Sequence, residues 1–555
     1  MYQCKRGLTA TILGLLLIFS LYLASISPAA LAVSAVKTFD FIEVTDFHGY
    51  LQNPAKLSDG TVIMEQRAAV LAKQIKEIKS ANPNTIVLSG GDMFQGTPLS
   101  NVLKGQPVIA MMNNIGFDAM ALGNHEYDWG VESVIHTRTA TLKGSSIPVL
   151  AANVYDKKTN KPASYVKPFI LLKKGGIKIG VIGIVDNIEF PTSIMPAYIQ
   201  NADFRDPAPI VNTLARQLRN KGAQIVIVLA HMGAFKEPGT GVFSGHLIDF
   251  ADKVQGVDAI LGGHTHTAVT TYRHGIPVGV AGNYGQGYLD LKITIDANGK
   301  VESGQFTYHD DFDLYNTQNP IVDSAVQQII NQALKDVGTE FSKVIGTAIT
   351  DLTRSQSAKP FGDSVLGNWT ADVTRKAVNA DFGFVNNGGL RCDISKGDIT
   401  TGLMFQFMPF DNTIVTLKMI PAQIKILLEQ AVQDNGKGIQ LSGLSFTYDP
   451  TKPSMQRVVA IKTAAGKSLD DNHPYLVATN NFMGAGGDGF LVFTDPAVAK
   501  TYRDSYKLAR DVYIDAVRTQ KQITADVDGR IAPANKGQTV TQPVNNKNIP
   551  IKPAA

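Results

Sequence analysis

The feature that most constrains this chain is a recurring join: an apolar run of strand length that stops at glycine or directly at a residue able to hold a metal. The clearest case is Ala119 to Leu122, which halts at Gly123 and leads into Asn124-His125-Glu126-Tyr127-Asp128. An amide, an imidazole and, three positions further, a carboxylate follow one strand tip. Alone, this stretch reads as a turn with a surface histidine. The join recurs four more times, and the recurrence changes the reading. Thr38 to Thr45 ends on Asp46-Phe47-His48-Gly49, and Thr85 to Leu88 runs into Ser89-Gly90-Gly91-Asp92. Ile225 to Ala230 delivers His231, and Asp258 to Leu261 delivers Gly262-Gly263-His264-Thr265-His266.

Helical patterns lie between these runs. Met64, Ala68, Leu71, Ile75 and Ile78 share one face of a helix expected from about Met64 to Lys79. A second helix is expected from Pro207, N-capped by Asp206, to about Gly222. Alternating strands and helices predict an α/β fold, in which the carboxyl ends of the strands form the crevice for ligands. Asp46, His48, Asp92, Asn124, His231, His264 and His266 can therefore converge although they are far apart in sequence. Seven oxygen and nitrogen donors without a thiolate are too many for one tetrahedral zinc and suit two borderline divalent ions such as Zn, Mn, Co or Fe. Asp92, central in the series, can bridge them. Such a pair activates a water and clamps phosphoryl oxygens, so the reaction class is phosphoester hydrolysis.

The chain opens with Lys5 and Arg6, an apolar stretch from Leu8 to about Leu23, and Ala30-Leu31-Ala32, which reads as a cleaved secretory signal over 1–32. An uncleaved anchor is the competing reading. No later segment is long and apolar enough to span a bilayer, so the expected location is extracytoplasmic, periplasm or medium. There are 52 basic and 48 acidic residues, a balance that excludes a nucleic acid polymer as partner. Of two cysteines, Cys4 falls in the leader, leaving Cys392 without an internal partner. A chain of 555 residues exceeds one core, so two domains are expected: 33–318, a linker helix over 319–343 opened by Asn319-Pro320, and 344–530. The Pro-, Asn- and Gln-rich remainder, 531–555, is expected to be disordered.

Asp46-x-His48, Gly91-Asp92, Gly123-Asn124-His125-Glu126, His231 and Gly263-His264-Thr265-His266 together resemble the motif set of the calcineurin-like metallophosphoesterases. The longer match through Tyr127-Asp128 resembles the 5'-nucleotidase family, which includes bacterial periplasmic 5'-nucleotidases with UDP-sugar hydrolase activity and animal ecto-5'-nucleotidases. The resemblance implies an N-terminal metallophosphoesterase β-sandwich flanked by helices, then the linker helix and a C-terminal α+β substrate-binding domain. It further implies one divalent metal ion (Zn, Mn or Co) on Asp46, His48, Asp92 and His266, and a second on Asp92, Asn124, His231 and His264. His266 stands where some relatives carry Gln or Asn. His125 and Asp128 match the catalytic dyad.

In the second domain, helices are expected near Ser364 to Val378 and from Pro421. Phe410 and Phe482 each sit among turn-forming residues, where two rings can hold a nucleobase or simply be core. The resemblance makes them the stacking pair, with Asn386, Arg391 and Asp488 as nucleoside and phosphate contacts. It implies release of phosphate from nucleoside 5'-monophosphates by a metal-activated water, with nucleotide sugars or di- and triphosphates as further substrates. A 2',3'-cyclic-nucleotide phosphodiesterase with 3'-nucleotidase activity shares the metal motifs and is the alternative. A non-catalytic nucleotide- or metal-binding surface protein is a third, disfavoured because pure binding needs no His125–Asp128 dyad.

Overall fold

The computed structural model describes residues 36–56, 62–237, 240–310, 320–356, 361–471 and 473–534. The leader read over 1–32 and the tail from 535 onward lie outside them. Among the described residues no helix is long and apolar enough to cross a membrane.

Two six-stranded sheets build the first domain. One is ordered Val301–His309, Tyr288–Ile295, Lys37–Val44, Ile86–Ser89, Ala119–Ala121, Val149–Leu150. The other is ordered Phe169–Lys174, Ile177–Val185, Ala223–His231, Ala259–Leu261, Ile276–Ala281, Ala268–Arg273. Strand alternation explains how they stack. Phe39 and Phe41 join Ile86, Leu88, Ile179, Ile227 and Leu291 in a core between the sheets. Ile42 and Val44 instead join the core beneath the helices Arg67–Ala81 and Gln106–Ile115. The helix Pro207–Asn220 covers the outer face of the second sheet through Val211, Ala215 and Leu218. This is the β-sandwich flanked by helices that the resemblance implied. Lys37–Val44, Ile86–Ser89 and Ala119–Ala121 are mutually parallel, as are Ala223–His231 and Ala259–Leu261, so their carboxyl ends gather on one rim.

Two local expectations differ from what forms. Met64 lies in the short strand Val62–Glu65, paired with Asn53–Lys56, and the helix starts at Arg67. The linker helix is Ser324–Val337, capped not by Asn319 but by Asp323, whose carboxylate accepts from Val326 N at 2.9 Å and from Lys76 Nζ at 2.8 Å. Val326, Ile330 and Ala333 bury into the core of the first domain, so this helix is packed as part of it.

The second domain centres on a five-stranded sheet, Ile439–Ser442, Phe382–Asn386, Tyr475–Asn480, Thr413–Met419, Arg503–Leu508. The helices Val365–Ala377 and Pro421–Val432 form as expected; Ser364 caps the first, and Ile424, Leu427, Leu428 and Ala431 are fully buried in the second. Trp369 is a core residue, 4% exposed. The chain is ordered beyond 530: Ile531–Pro533 pairs in parallel with Leu444–Tyr448, and Ile531 is buried in the core.

One carboxylate in the fold is poorly served. Asp290 is 9% exposed, its Oδ1 accepts no hydrogen bond, and burial, then the nearby Asp40 charge, push it up to about 6 against the pull of Lys292. A folded pKa above the unfolded value penalises folding once the unfolded chain ionises, so the penalty is absent below about pH 4 and complete above about pH 6. We expect Asp290→Asn to stabilise the protein by about 1–2 kcal/mol at pH 7.5, after allowance for solvent screening, and to be neutral at pH 4. Thermal melts at the two pH values check this.

Candidate metal centre and active site

The loop after the first strand and the loop after Ile86–Ser89 are laced together: Asp46 N donates to Gly91 O (2.9 Å), His48 N to Asp92 O (3.0 Å) and Gly49 N to Met93 O (3.0 Å). Asp46, His48, Asp92, His264 and His266 all adopt positive φ, between 49° and 76°. Each such residue costs about 1–3 kcal/mol, a strain that persists only where the surroundings over-determine it and that clusters at functional sites. Glycine is required beside them. A Cβ on Gly91 would lie 2.7 Å from His231 Nδ1, and one on Gly123 would lie 2.3 Å from Asp92 Oδ1.

The seven residues read as ligands fall into two groups, all buried except His266, which is half-buried. Donor atoms of Asp46, His48 and His266 lie within 4.8 Å of one another, as do those of Asp92, His231 and His264. Asn124 joins the second group, its Oδ1 3.1 Å from His231 Nε2. Asp92 faces both: Oδ2 is 3.2 Å from His231 Nε2 and 3.9 Å from His48 Nε2. Hydrogen bonds to backbone fix the tautomers that ligation needs. His48 Nδ1 donates to Gln95 O (2.6 Å) and His231 Nδ1 to Gly90 O (2.7 Å), turning both Nε2 atoms inward.

The charge balance fits cations. Burial, then His266, hold His48 well below the usual imidazole range, so it is a neutral donor. His231 would be lowered by burial, but the Asp92 carboxylate overrides this and pushes it up to about 9. Burial would raise Asp92, yet His231, His125 and His48 hold it well below the carboxylate range. His48 and His266 bring their Nε2 atoms to 3.0 Å of each other, with Asp46 Oδ1 3.4 Å from His266 Nε2. Two imidazole nitrogens and a carboxylate oxygen so close suit a shared divalent ion. The residues present therefore fit two such ions, one per group with Asp92 between.

Glu126 is a residue whose role sequence reasoning missed. It is buried, and its carboxylate accepts from Asp92 N (3.0 Å), Met93 N (3.0 Å) and Gly123 N (2.6 Å), pinning the two loops that carry Asp92 and Asn124. Burial, then the Asp92 charge, push it up to about 8. We expect Glu126→Gln, which sets an amide N–H against a backbone N–H, to weaken metal binding by roughly 10–100-fold in a metal titration. Unchanged affinity would make Glu126 a residue of the fold alone.

His125 stands beside this centre, 9% exposed. Asn124–Tyr127 is a 3-10 turn, which brings residues three apart onto one face, and so His125 Nδ1 meets Asp128 Oδ2 at 2.8 Å. Burial pushes the Asp128 carboxyl upward against the opposing pull of His125. Across the domain boundary the His125 ring stacks on Phe410, with centroids 6.0 Å apart at 28°.

Phe410 shares with Phe482, Asn386, Arg391 and Asp488 a single cleft that also takes in His125 and Asp128. Asn386 Nδ2 donates to Asp488 Oδ2 (2.6 Å), and the Arg391 guanidinium lies 5.9 Å from the Phe410 ring centre. A Cβ on Gly487 would lie 2.5 Å from the Phe482 ring, which is why that neighbour must be small. Arg510, another missed residue, donates to Met408 O, Phe410 O and Asp411 Oδ1 and so holds the Phe410 loop. From the first domain, Asn101 Nδ2 reaches Pro409 O (3.3 Å) and Lys437 returns to Glu189 (3.2 Å). Arg354 supports Arg391 from behind, donating to the carbonyls of Leu390 and Arg391. Burial pushes the Cys392 thiol up to about 12, against any reactive role.

Residues 39–268 match the calcineurin-like phosphoesterase family, and residues 344–495 match the 5'-nucleotidase C-terminal domain. The chain is 28% identical over 461 residues to the endonuclease YhcR of Bacillus subtilis, covering 80% of this chain and 36% of that protein. It is 26% identical over 549 residues to the snake venom 5'-nucleotidase of Gloydius brevicauda, covering 91% and 90% respectively. Among solved structures, the 5'-nucleotidase precursor of Thermus thermophilus superposes with a TM-score of 0.78 at 26% identity, covering 90% of this chain and 100% of that one. The chain spans about a third (36%) of the length of the Bacillus protein.

Proposed function

We infer that this chain, which belongs to the 5'-nucleotidase family and joins a calcineurin-like phosphoesterase domain to a 5'-nucleotidase C-terminal domain, is an extracytoplasmic phosphohydrolase releasing phosphate from nucleoside 5'-monophosphates. One observation carries the reading. The His125–Asp128 pair, the rings of Phe410 and Phe482, and Asn386, Arg391 and Asp488 line one continuous cleft. A binding protein would need the rings and the arginine but not an imidazole oriented by a carboxylate.

Two divalent cations (Zn, Mn or Co) held by Asp46, His48, Asp92, Asn124, His231, His264 and His266 would supply the activated water and neutralise phosphoryl charge. The chain's own residues do the rest. Arg391 offers a planar fork to phosphate oxygens. Asp488, anchored by Asn386, accepts from ribose hydroxyls, and the two phenylalanines stack the base. His125, held at Nδ1 by Asp128, stabilises the charge that gathers on the phosphoryl group or gives a proton to the departing ribose oxygen. Because Phe410 comes from one domain and His125 from the other, substrate entry requires the domains to part, and we include rotation of the second domain in the proposal.

The test is phosphate release from 5'-, 3'- and 2',3'-cyclic nucleotides and UDP-glucose, with metal-stripped protein reloaded with Mn, Co or Zn. Preference for 5'-monophosphates is expected. Preference for the cyclic compounds would overturn the assignment in favour of a cyclic phosphodiesterase.

A further inference from the structure

The ion pair between Lys437 Nζ and Glu189 Oε1 (3.2 Å) crosses the domain boundary with little exposure at either end, the side chains being 13% and 28% exposed. Both ends are tied to the site. Glu189 directly precedes the 3-10 turn Phe190–Ser193, where Phe190 is fully buried with its ring edge-on to His231, the centroids 5.9 Å apart at 76°. Glu189 Oε2 itself lies 3.8 Å from His264 Nε2. The same turn packs beside Gly487–Gly489, the segment that carries Asp488. On the other side, Lys437 is followed by Gly438, which is pressed against the Asn387 amide: a Cβ there would lie 2.2 Å from Asn387 Nδ2. Asn387 Oδ1 accepts from Gln440 Nε2 (2.8 Å), and the turn it opens, Asn387–Gly389, lines the cleft through Gly388 and Gly389.

We propose that Glu189 and Lys437 are positioning residues, whose ion pair sets the nucleoside-binding wall of the second domain against the metal centre of the first. This deepens the nucleotidase reading and rests on it. Contacts between domains of one chain are polar and modest in area, so relative motion is the default. A cleft that must hold a nucleoside on one domain and its phosphoryl group on the other therefore needs a contact that fixes the distance between them, because small misplacements of reacting groups cost large factors in rate. An ion pair suits the task. With the domains together the two charges compensate one another away from water, and with the domains apart both return to solvent. Removing one partner leaves the other charge shielded and unmatched, which disfavours the arrangement that completes the cleft. Neither residue lines the cleft, so the effect on turnover comes through position.

The test is a double-mutant cycle on kcat/KM for AMP with Glu189→Gln, Lys437→Met and the two combined, with metal content measured beside it. Each single variant should lose about tenfold, the effect of a partly buried pair, and the double variant should fall no further than the weaker single. Lys437→Arg, which keeps the charge, should retain most of the activity, and Lys437→Met should keep the metal content of the wild type. Melting curves show whether each variant is folded, and Lys437→Gln takes the place of Lys437→Met if methionine is not tolerated. Losses that multiply in the double variant, an unchanged kcat/KM or a loss of metal in folded Lys437→Met, or a Lys437→Arg as impaired as Lys437→Met would overturn the inference alone. No phosphate from AMP with the wild-type protein would overturn the nucleotidase reading together with it.

Discussion

Replacing His125 with alanine should lower kcat by about 10³-fold while the purified protein keeps its full complement of metal. The size follows from removing a positioned imidazole from a reaction that must stabilise phosphoryl charge and a leaving oxygen, typically worth about 10²–10⁴. The metal retention follows from the geometry. It is the backbone N–H of His125, not the ring, that donates to Asp92 Oδ1 at 2.8 Å, and alanine preserves that bond. The ring's Nδ1 is committed to Asp128, so its loss frees no donor on which either buried group depends. The competing possibility is concrete, because a ring nitrogen of His125 also lies within 4.8 Å of donor atoms of His48 and Asp92. Metal analysis beside steady-state kinetics separates the two. If the variant loses an equivalent of metal along with its activity, His125 is a ligand and the dyad reading fails.

The convergence of the candidate site was largely legible in the sequence for one physical reason: parallel strands end on the same rim, so potential ligands at strand ends meet whatever their separation along the chain. His231 and Asp92 are far apart in sequence yet 3.2 Å apart in space, because each closes or follows such a strand. What was not legible depends on partners that carry no periodicity. Met64 continues the apolar spacing of the helix that follows it, but Val62–Glu65 gains a cross-strand partner in Asn53–Lys56, and pairing outweighs spacing. Asn319-Pro320 has the look of a helix start, yet Asp323 can serve both Val326 N and Lys76, and the helix begins there. Glu126 stood within a motif, but a carboxylate that clamps three backbone N–H groups looks in sequence like any first-turn glutamate. Arg510 acts on a loop about a hundred residues away, so it leaves no local signature.

The second large effect should come from Asp92→Asn. We expect metal content to fall by at least one equivalent and kcat to drop by at least about 10³-fold, with the fold intact. Asparagine matches aspartate in shape, so its Oδ1 can still accept from His125 N and the laced 46–49 and 91–93 loops keep their backbone bonds. What changes is charge at the carboxylate that faces both donor groups. Asp92 Oδ2 is the carboxylate oxygen facing both His231 and His48, at 3.2 and 3.9 Å. Asp46 sits with His48 and His266, its oxygens also accepting from His264 N, and beside the other group, His231 and His264 with Asn124, Glu189 Oε2 stays 3.8 Å from His264 Nε2 and is paired with Lys437. Removing the charge leaves that group with imidazole and amide donors and only the Lys437-paired Glu189 nearby, a set that would bind a divalent ion less tightly and offset less cationic charge. The loss should therefore exceed that of His266→Ala, which deprives one group of one neutral ligand. Metal content of the two variants, measured after dialysis against the same free-ion concentration, checks the order. If Asp92→Asn kept the full metal content of the wild type, the proposed role of this carboxylate between the two donor groups would be wrong.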